Sequence, residues 1–385
     1  KMHIGHASSY THEDVVVRFE RMKGKKIIFP FGTDDNGLPT ERFIEKEKNV
    51  SSKKMQRNEF IELCNKTLEE IRPQFIQNWK DIGMSCDFDL SYSTINKECQ
   101  KISQKYFIDL FNKGLAYKKE TPIFWCPICG TAVAQAELED KNIPSVFYNI
   151  NFDLKEGGKI TIATTRPELL SSCVAIFVNP EDERYKDLVG KKVITPIFKN
   201  EVEIMADEKV DKEKGTGIVM CCTFGDTTDI EWYMSHDLEL KTSISKDGKM
   251  TELAKEFEGL KIKEARQKIV EKLKEEERVV QEKPIEHLVN IHERCGTEIE
   301  ILPTNQWFIK ILENKEKFIE RGREIKWNPK HLIHRYENWI NNLKWDWCIS
   351  RQRFFGIPFP VWFCEKCGEI ILADEKDLPV DPLSQ

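Results

Sequence analysis

From Ala7 to Lys23 the apolar residues Val15, Val16, Phe19 and Met22 return at helical spacing on one side, which predicts a helix that stops at Gly24. The run Lys26-Ile27-Ile28-Phe29-Pro30-Phe31-Gly32 then predicts a short buried strand, although it contains Pro30. Helix followed by strand predicts part of a parallel α/β sheet. Ser51 to Leu115 reads as helical, carried by Phe60, Leu63, Leu68, Ile71, Phe75 and Trp79. From about Val146 the texture becomes β-like, in Val146-Phe147-Tyr148, Ile160–Ala163, Val174–Val178 and Val193-Ile194. It stays so to about Lys283, with one amphipathic, charge-rich helix around Ile262–Arg278. Segments rich in Trp, Lys and Arg follow to Phe363. The pattern divides the chain at 1–145, 146–290 and 291–385, with the middle part inserted into a domain built from the other two. There is no internal repeat and no low-complexity segment.

Composition narrows the class. At ~150 residues per domain, 385 residues allow two to three domains, and 10% aromatic content with 32% mixed charge argues against disorder. No apolar run reaches the ~18 residues of a membrane span, and the start lacks the charged-then-apolar pattern of a secretion signal. A net charge of -6 excludes a globally basic nucleic-acid coat and leaves room for a local basic face. One candidate is Lys315, Lys317, Arg321, Arg323, Lys326, Trp327, Lys330, His331, His334 and Arg335, which mixes cations with an aromatic as RNA-binding surfaces do; an ordinary solvated helix face is the alternative. Twelve cysteines with Cys-x-x-Cys pairs in so long a chain predict thiols and metal in a reducing, cytoplasmic compartment.

Three groups of residues suggest chemistry. His3-Ile4-Gly5-His6 opens the first helix, where exposed backbone N–H groups, a glycine and two imidazoles suit a phosphate. Asp34-Asp35-Asn36-Gly37-Leu38-Pro39-Thr40-Glu41 follows the predicted strand, at the edge where open α/β sheets bind ligands; a carboxylate there can hold an ammonium. Cys126-x-x-Cys129 and His292-x-x-Cys295 together offer four ligands for one tetrahedral Zn²⁺, closing the base of the insertion. Cys364 and Cys367 make a further half-site whose partner is expected beyond the end of this chain. The remaining cysteines, among them Cys64, Cys173, Cys221 and Cys222, read as buried thiols.

His3–His6 resembles the HIGH signature of class I aminoacyl-tRNA synthetases, and Gly32–Glu41 resembles the matching element of their valyl/isoleucyl/leucyl group. Trp125–Thr131, Thr164-Thr165-Arg166-Pro167-Glu168 and Asp346–Arg353 agree in the same order, so the resemblance covers nearly the whole chain. Within the group, Gly32-Thr33-Asp34-Asp35-Asn36-Gly37 is most similar to valyl enzymes, with isoleucyl second. The resemblance implies a Rossmann-like parallel-sheet catalytic domain interrupted by a β-rich editing domain, with zinc knuckles. It implies that His3, Gly5 and His6 meet the phosphates of ATP with Mg²⁺, that Asp34 binds the amino group of valine, and that Trp347 walls the side-chain pocket. The reaction expected is adenylation of valine and transfer to tRNA(Val) by a monomeric, membrane-free enzyme. A non-catalytic, zinc-stapled tRNA-binding module is the rival reading.

For the insertion the resemblance implies hydrolytic editing, since a hydrophobic pocket rejects a threonine of valine's shape by only ~10². Thr164, Thr165 and Arg166 would hold the terminal adenosine and the attacking water, and Asp229 the ammonium of the mischarged residue. Gly215-Thr216-Gly217 and Gly225–Asp229 belong to the same resemblance. Met220 stands where many bacterial valyl enzymes carry lysine, and His292 where the family more often has cysteine. The lysine-containing KMSKS loop, the anticodon-binding domain and the strand leading into HIGH are not in this sequence. Weak valine activation with some retained hydrolysis is therefore expected of the chain as given.

Overall fold

His3 caps the first helix, α1 (Ile4–Met22), so the helix begins before the apolar periodicity does. The computed structural model describes residues 2–384. The apolar stripe of α1 stays exposed, and its buried residue is Asp14, which accepts from the Ser85 backbone N–H at 2.9 Å and from Arg18 at 2.7 Å. Polar anchoring, then, is what fixes this helix. Strand β1 (Pro30–Thr33) is shorter than expected and starts at the proline, while Ile28 before it is 86% exposed. It pairs in parallel with β2 (Asp87–Ser93), Thr33 opposite Ser93. The region read as wholly helical therefore contains a strand, between α2 (Leu38–Glu47) and α3 (Arg57–Asp81) on one side and α4 (Lys97–Asn112) on the other. The alternation Phe88, Leu90, Tyr92 was its only sequence signal.

The chain forms two compact units, Lys1–Ala116 with Arg353–Gln385, and Tyr117–Gln352. In the first, Ile44, Phe60, Cys64 and Leu68 make a core with Phe355 from the returning segment. Gln104 ties that segment down by donating to the Val380 carbonyl at 2.7 Å and accepting from the Val380 N–H at 2.9 Å.

The second unit starts with β3 (Ala116–Cys126) and β4 (Thr131–Ala132). It continues through β5 (Leu138–Leu154), β6 (Lys159–Thr164), β7 (Cys173–Val178), β8 (Lys192–Ile194), β9 (Glu201–Ala206) and β10 (Ile218–Cys222). Helices α5 (Thr227–Ser235) and α6 (Ile262–Glu275), then β11 (Val279–His292) and β12 (Glu300–Ile309), follow. The unit closes with α7 (Lys315–Glu324), α8 (Leu332–Asn341) and β13 (Trp347–Cys348). Seven strands form one sheet in the order β10-β7-β9-β8-β5-β11, with β6 paired to β5 and packed on β10. The four β segments read from sequence lie inside β5, β6, β7 and β8, and the expected helix is α6; α5 was not anticipated. Ile150, Phe152, Ile162, Ile176 and Ile204, all fully buried, fill the interior. A smaller sheet runs β13-β12-β3-β4. Back in the first unit, β14 (Val361–Phe363) and β15 (Ile370–Leu372) form a hairpin. The architecture is mixed α/β with a β-rich region. Among the described residues no helix is long and apolar enough to cross a membrane.

Candidate functional site

Strand ends bring the four knuckle residues together. Cys126 ends β3 and His292 ends β11, and the tight turns that follow carry Cys129 and Cys295 back toward them. The Cys126 and Cys295 sulfurs lie 3.5 Å apart, Cys129 and Cys295 3.6 Å, and His292 Nδ1 is 3.5 Å from Cys129 and 3.4 Å from Cys295. A tetrahedral zinc with Zn–S ~2.3 Å and Zn–N ~2.0 Å needs S···S edges of ~3.8 Å and S···N edges of ~3.5 Å, so the four groups fit the ion. His292 is fully buried and its Nε2 has no hydrogen-bond partner, which leaves Nδ1 as the ligating atom and the second nitrogen without the usual acceptor. The hydrogen bond with Cys129 lowers the Cys126 pKa, and the same contact pushes Cys129 up. One thiol of the pair is thus already poised to ionise.

The polar residues of the insertion lie at two strand ends, Thr164 at the close of β6 and Asp229 in the first turn of α5 beyond β10. Alternation along β6 puts Thr164 on the face of Ile160 and Ile162, at the rim of the core. Its Oγ1 accepts from the Arg166 backbone N–H at 3.0 Å. Beyond β10, Asp226 caps α5 by accepting from the Thr228 and Asp229 N–H groups at 2.7 and 3.2 Å. Asp229 reciprocates through Oδ2, accepting from Gly225 N at 2.7 Å and Asp226 N at 3.1 Å. Gly225 is required here, because a Cβ would sit 2.8 Å from that oxygen and 3.2 Å from Leu169 in the segment after Thr164. Burial, and then the neighbouring Asp226 charge, raise the Asp229 pKa to about 7. Met220 packs on the apolar interior face of β10 and brings no charge to this edge. Thr165 is half-buried.

Arg166 is differently employed from a free guanidinium. It bonds Glu168 at 3.0 Å and Glu300 at 2.7 Å, and Arg266 grips both Glu168 oxygens at 2.8 Å. Sequence reading missed Arg266 and Glu300. Neither carries a local signal, since their partners come from other elements.

In the first unit, His3 Nδ1 accepts from the Gly5 and His6 N–H groups at 3.1 and 3.4 Å, and its ring stacks on His6 with centroids 3.7 Å apart. Glycine fits position 5 because a Cβ there would lie 3.0 Å from the His3 ring. Desolvation under that stack, then repulsion from His3, lower the His6 pKa. Asp34 is exposed and accepts from Thr94 Oγ1 at 3.0 Å and Asn36 N at 3.4 Å, both through Oδ1. Asp35 is the structural member of the pair. Its Oδ2 accepts from Thr33 and Ser93 hydroxyls at 2.6 Å each and from Arg72 at 3.3 Å, clamping the ends of β1 and β2.

Trp347 belongs to the second unit and is 55% exposed on β13. Cys364 and Cys367 sit on the turn of the β14–β15 hairpin, half-buried and exposed, with the Cys367 and Lys366 N–H groups lowering the Cys364 pKa. On α7 and α8, Arg323 pairs with Glu337 at 2.7 Å and Arg321 with Glu324, and the Trp327 indole donates to the Gly322 carbonyl at 2.7 Å. Trp327 therefore braces the helical pair, and the exposed Lys326, Lys330 and Arg335 are its outward cations, with His331 and His334 exposed beside them.

A family model described as tRNA synthetases class I (I, L, M and V) matches residues 1–382. The valine–tRNA ligase of Thermoplasma acidophilum is 51% identical over 385 residues, covering 100% of this chain and 48% of its own. That of Rickettsia conorii is 49% identical over 387 residues, with 100% and 48% covered. The chain spans about half the length of the curated relatives it matches. Among solved structures, the ternary complex of Agrobacterium radiobacter K84 LeuRS, tRNA and LeuAMS aligns with 98% of this chain and 47% of that one, at 17% identity and a TM-score of 0.39.

Proposed function

We propose that this chain, which belongs to the class I tRNA synthetases (I, L, M and V), carries the valine-activating and proofreading parts of a valine–tRNA ligase. In activation, a valine carboxylate oxygen attacks the α-phosphorus of ATP and pyrophosphate departs. The aminoacyl group then passes to the terminal adenosine of tRNA(Val). Such chemistry needs positioning and charge neutralisation more than covalent help. The start of α1 supplies the His3 and His6 imidazoles to the triphosphate, the Gly5 and His6 N–H groups being capped by His3 Nδ1, with Gly5 allowing close approach and Mg²⁺ accompanying ATP. Asp34 receives the valine ammonium. The exposed cations around Lys326–Arg335 meet tRNA phosphates.

The knuckle residues Cys126, Cys129, His292 and Cys295 hold zinc, whose chemistry here is structural, with all four positions filled by protein. Cys364 and Cys367 supply two ligands of a second knuckle.

In proofreading, water attacks the ester carbonyl of threonyl-tRNA(Val), the bond to the ribose oxygen breaks, and that oxygen takes a proton. Ionised Asp229 holds the threonine ammonium. Thr164 and Thr165 orient the water and the terminal adenosine, with Arg166 ordering the segment. The observation that carries this reading is a buried carboxylate at the corner between β10 and α5, where Gly225 lies close both to it and to Leu169 of the segment that follows Thr164. Deacylation of threonyl-tRNA(Val) by the chain and by Asp229→Ala tests it. A wild-type rate well above the variant's is expected; equal rates remove the proofreading claim.

A further inference from the structure

Arg166, Glu168, Arg266 and Glu300 form an ion quartet linked in a row, Glu300 to Arg166 to Glu168 to Arg266, with the carboxylates 0% and 6% exposed. Such a group is stable only while every charge is matched. Burial pushes the Glu168 carboxyl up, but the two guanidiniums outweigh it and hold it low. Glu300 meets only Arg166 directly, and burial leaves its pKa raised. It is the weaker-held of the two acids.

Glu300 also occupies a particular place. It opens β12, directly after the turn that carries His292 and Cys295. That turn is held by His292 N donating to the Thr297 carbonyl at 2.9 Å and Ile299 N donating to the Asn290 carbonyl at 3.1 Å. Lys263 of α6 adds an ion pair to Glu298 at 2.8 Å. On the other side of the quartet, the Arg166 backbone N–H occupies one lone pair of Thr164 Oγ1 at 3.0 Å, which sets the direction of that hydroxyl.

We infer that Glu300 is a positioning residue for the hydrolytic segment: it transmits the fixed geometry of the His292–Cys295 knuckle through Arg166 to the Thr164 hydroxyl. The kinetic half rests on the proofreading reading above; the structural half stands on the quartet alone.

Glu300→Gln and the double variant Glu300→Gln/Arg266→Gln test this by three measurements. These are the thermal midpoint, hydrogen exchange of residues 163–172, and kcat and KM for threonyl-tRNA(Val) deacylation. The single variant leaves one guanidinium charge unmatched, so its midpoint falls, exchange across 163–172 quickens, and kcat drops roughly tenfold or more with KM little changed. The double variant is neutral again, so its midpoint recovers while kcat and protection stay low. Chelating the metal from wild type quickens exchange in the same segment and adds little in Glu300→Gln. If the double variant regains kcat together with its midpoint, charge balance is the whole effect and the positioning role is overturned. Exchange that ignores chelation would detach the knuckle from the segment and overturn that link. A wild-type chain that leaves threonyl-tRNA(Val) intact defeats the proofreading reading instead, and the exchange and midpoint measurements still decide the positioning.

Discussion

Glu41 and Arg353 stand 312 positions apart and form an ion pair in which Glu41 is fully buried and Arg353 nearly so. The second Glu41 oxygen accepts the Phe355 backbone N–H at 2.5 Å, so this carboxylate ties α2 to the segment that re-enters the first unit. The turn Asp34–Gly37 leads straight into α2, and the pair thereby fixes the base of the loop that presents Asp34. Removing the Glu41 charge leaves the buried Arg353 with the more distant Glu45 carboxylate, 3.6 Å away. Glu41→Gln is expected to cost about 3 kcal/mol of stability in chemical denaturation, more than a surface ion-pair deletion costs.

The two neighbouring aspartates are expected to separate cleanly. Asp35→Ala strips an acceptor from Thr33, Ser93 and Arg72 and should cost about 1–3 kcal/mol in the same assay. Asp34→Ala, at an exposed position, should change stability by no more than about 0.5 kcal/mol. In equilibrium dialysis with labelled valine it should lower retention by roughly tenfold or more, the scale of a lost charge-assisted bond.

Elemental analysis of the purified chain should find zinc, and His292→Ala or Cys129→Ser should lose it on dialysis. His292→Cys should keep it, because a thiolate at that position satisfies the tetrahedron and leaves no buried Nε2 without an acceptor. Chelation should lower the melting temperature of wild type, since the ion joins β3 to β11 across the insertion.

Asp229 sets a pH dependence with opposite signs for stability and rate. Its carboxyl is raised from 3.8 to about 7 in the fold, so the folded protein binds a proton that the unfolded chain gives up. The resulting stabilisation is full below about pH 4 and is lost as pH rises toward 7. In the proposed proofreading step the ionised form holds the ammonium, so kcat/KM for deacylation should fall on the acid side with a midpoint near 7. The kcat limb should lie lower, because bound ammonium favours the carboxylate. Asp229→Asn should abolish both the limb and most of the rate, read from a pH–rate profile.

Short-range pattern sufficed for much of this molecule. The Cys-x-x-Cys and His-x-x-Cys spacings named a candidate metal site: a tight turn of that length folds only a few ways and closes each pair, and the β5–β11 pairing brings the two pairs together. The β-like texture of Ile160–Ala163 located β6, whereas Thr164 at its end was singled out by the family resemblance alone. Periodicity failed where partners lie elsewhere in the chain. The α1 stripe marked the helix but not its anchorage: the stripe stays exposed, and Asp14 and Arg21 tie the helix to Ser85. β2 hid inside a stretch read as helical, because a strand with few buried side chains gives a faint alternation. Local reading also could not say which aspartate of the pair is structural, nor that the Arg166 guanidinium is taken by Glu168 and Glu300. Those outcomes depend on which charges burial forces into contact. Residue spacing is a property of a few consecutive positions; the matching of buried charge is a property of the packed chain.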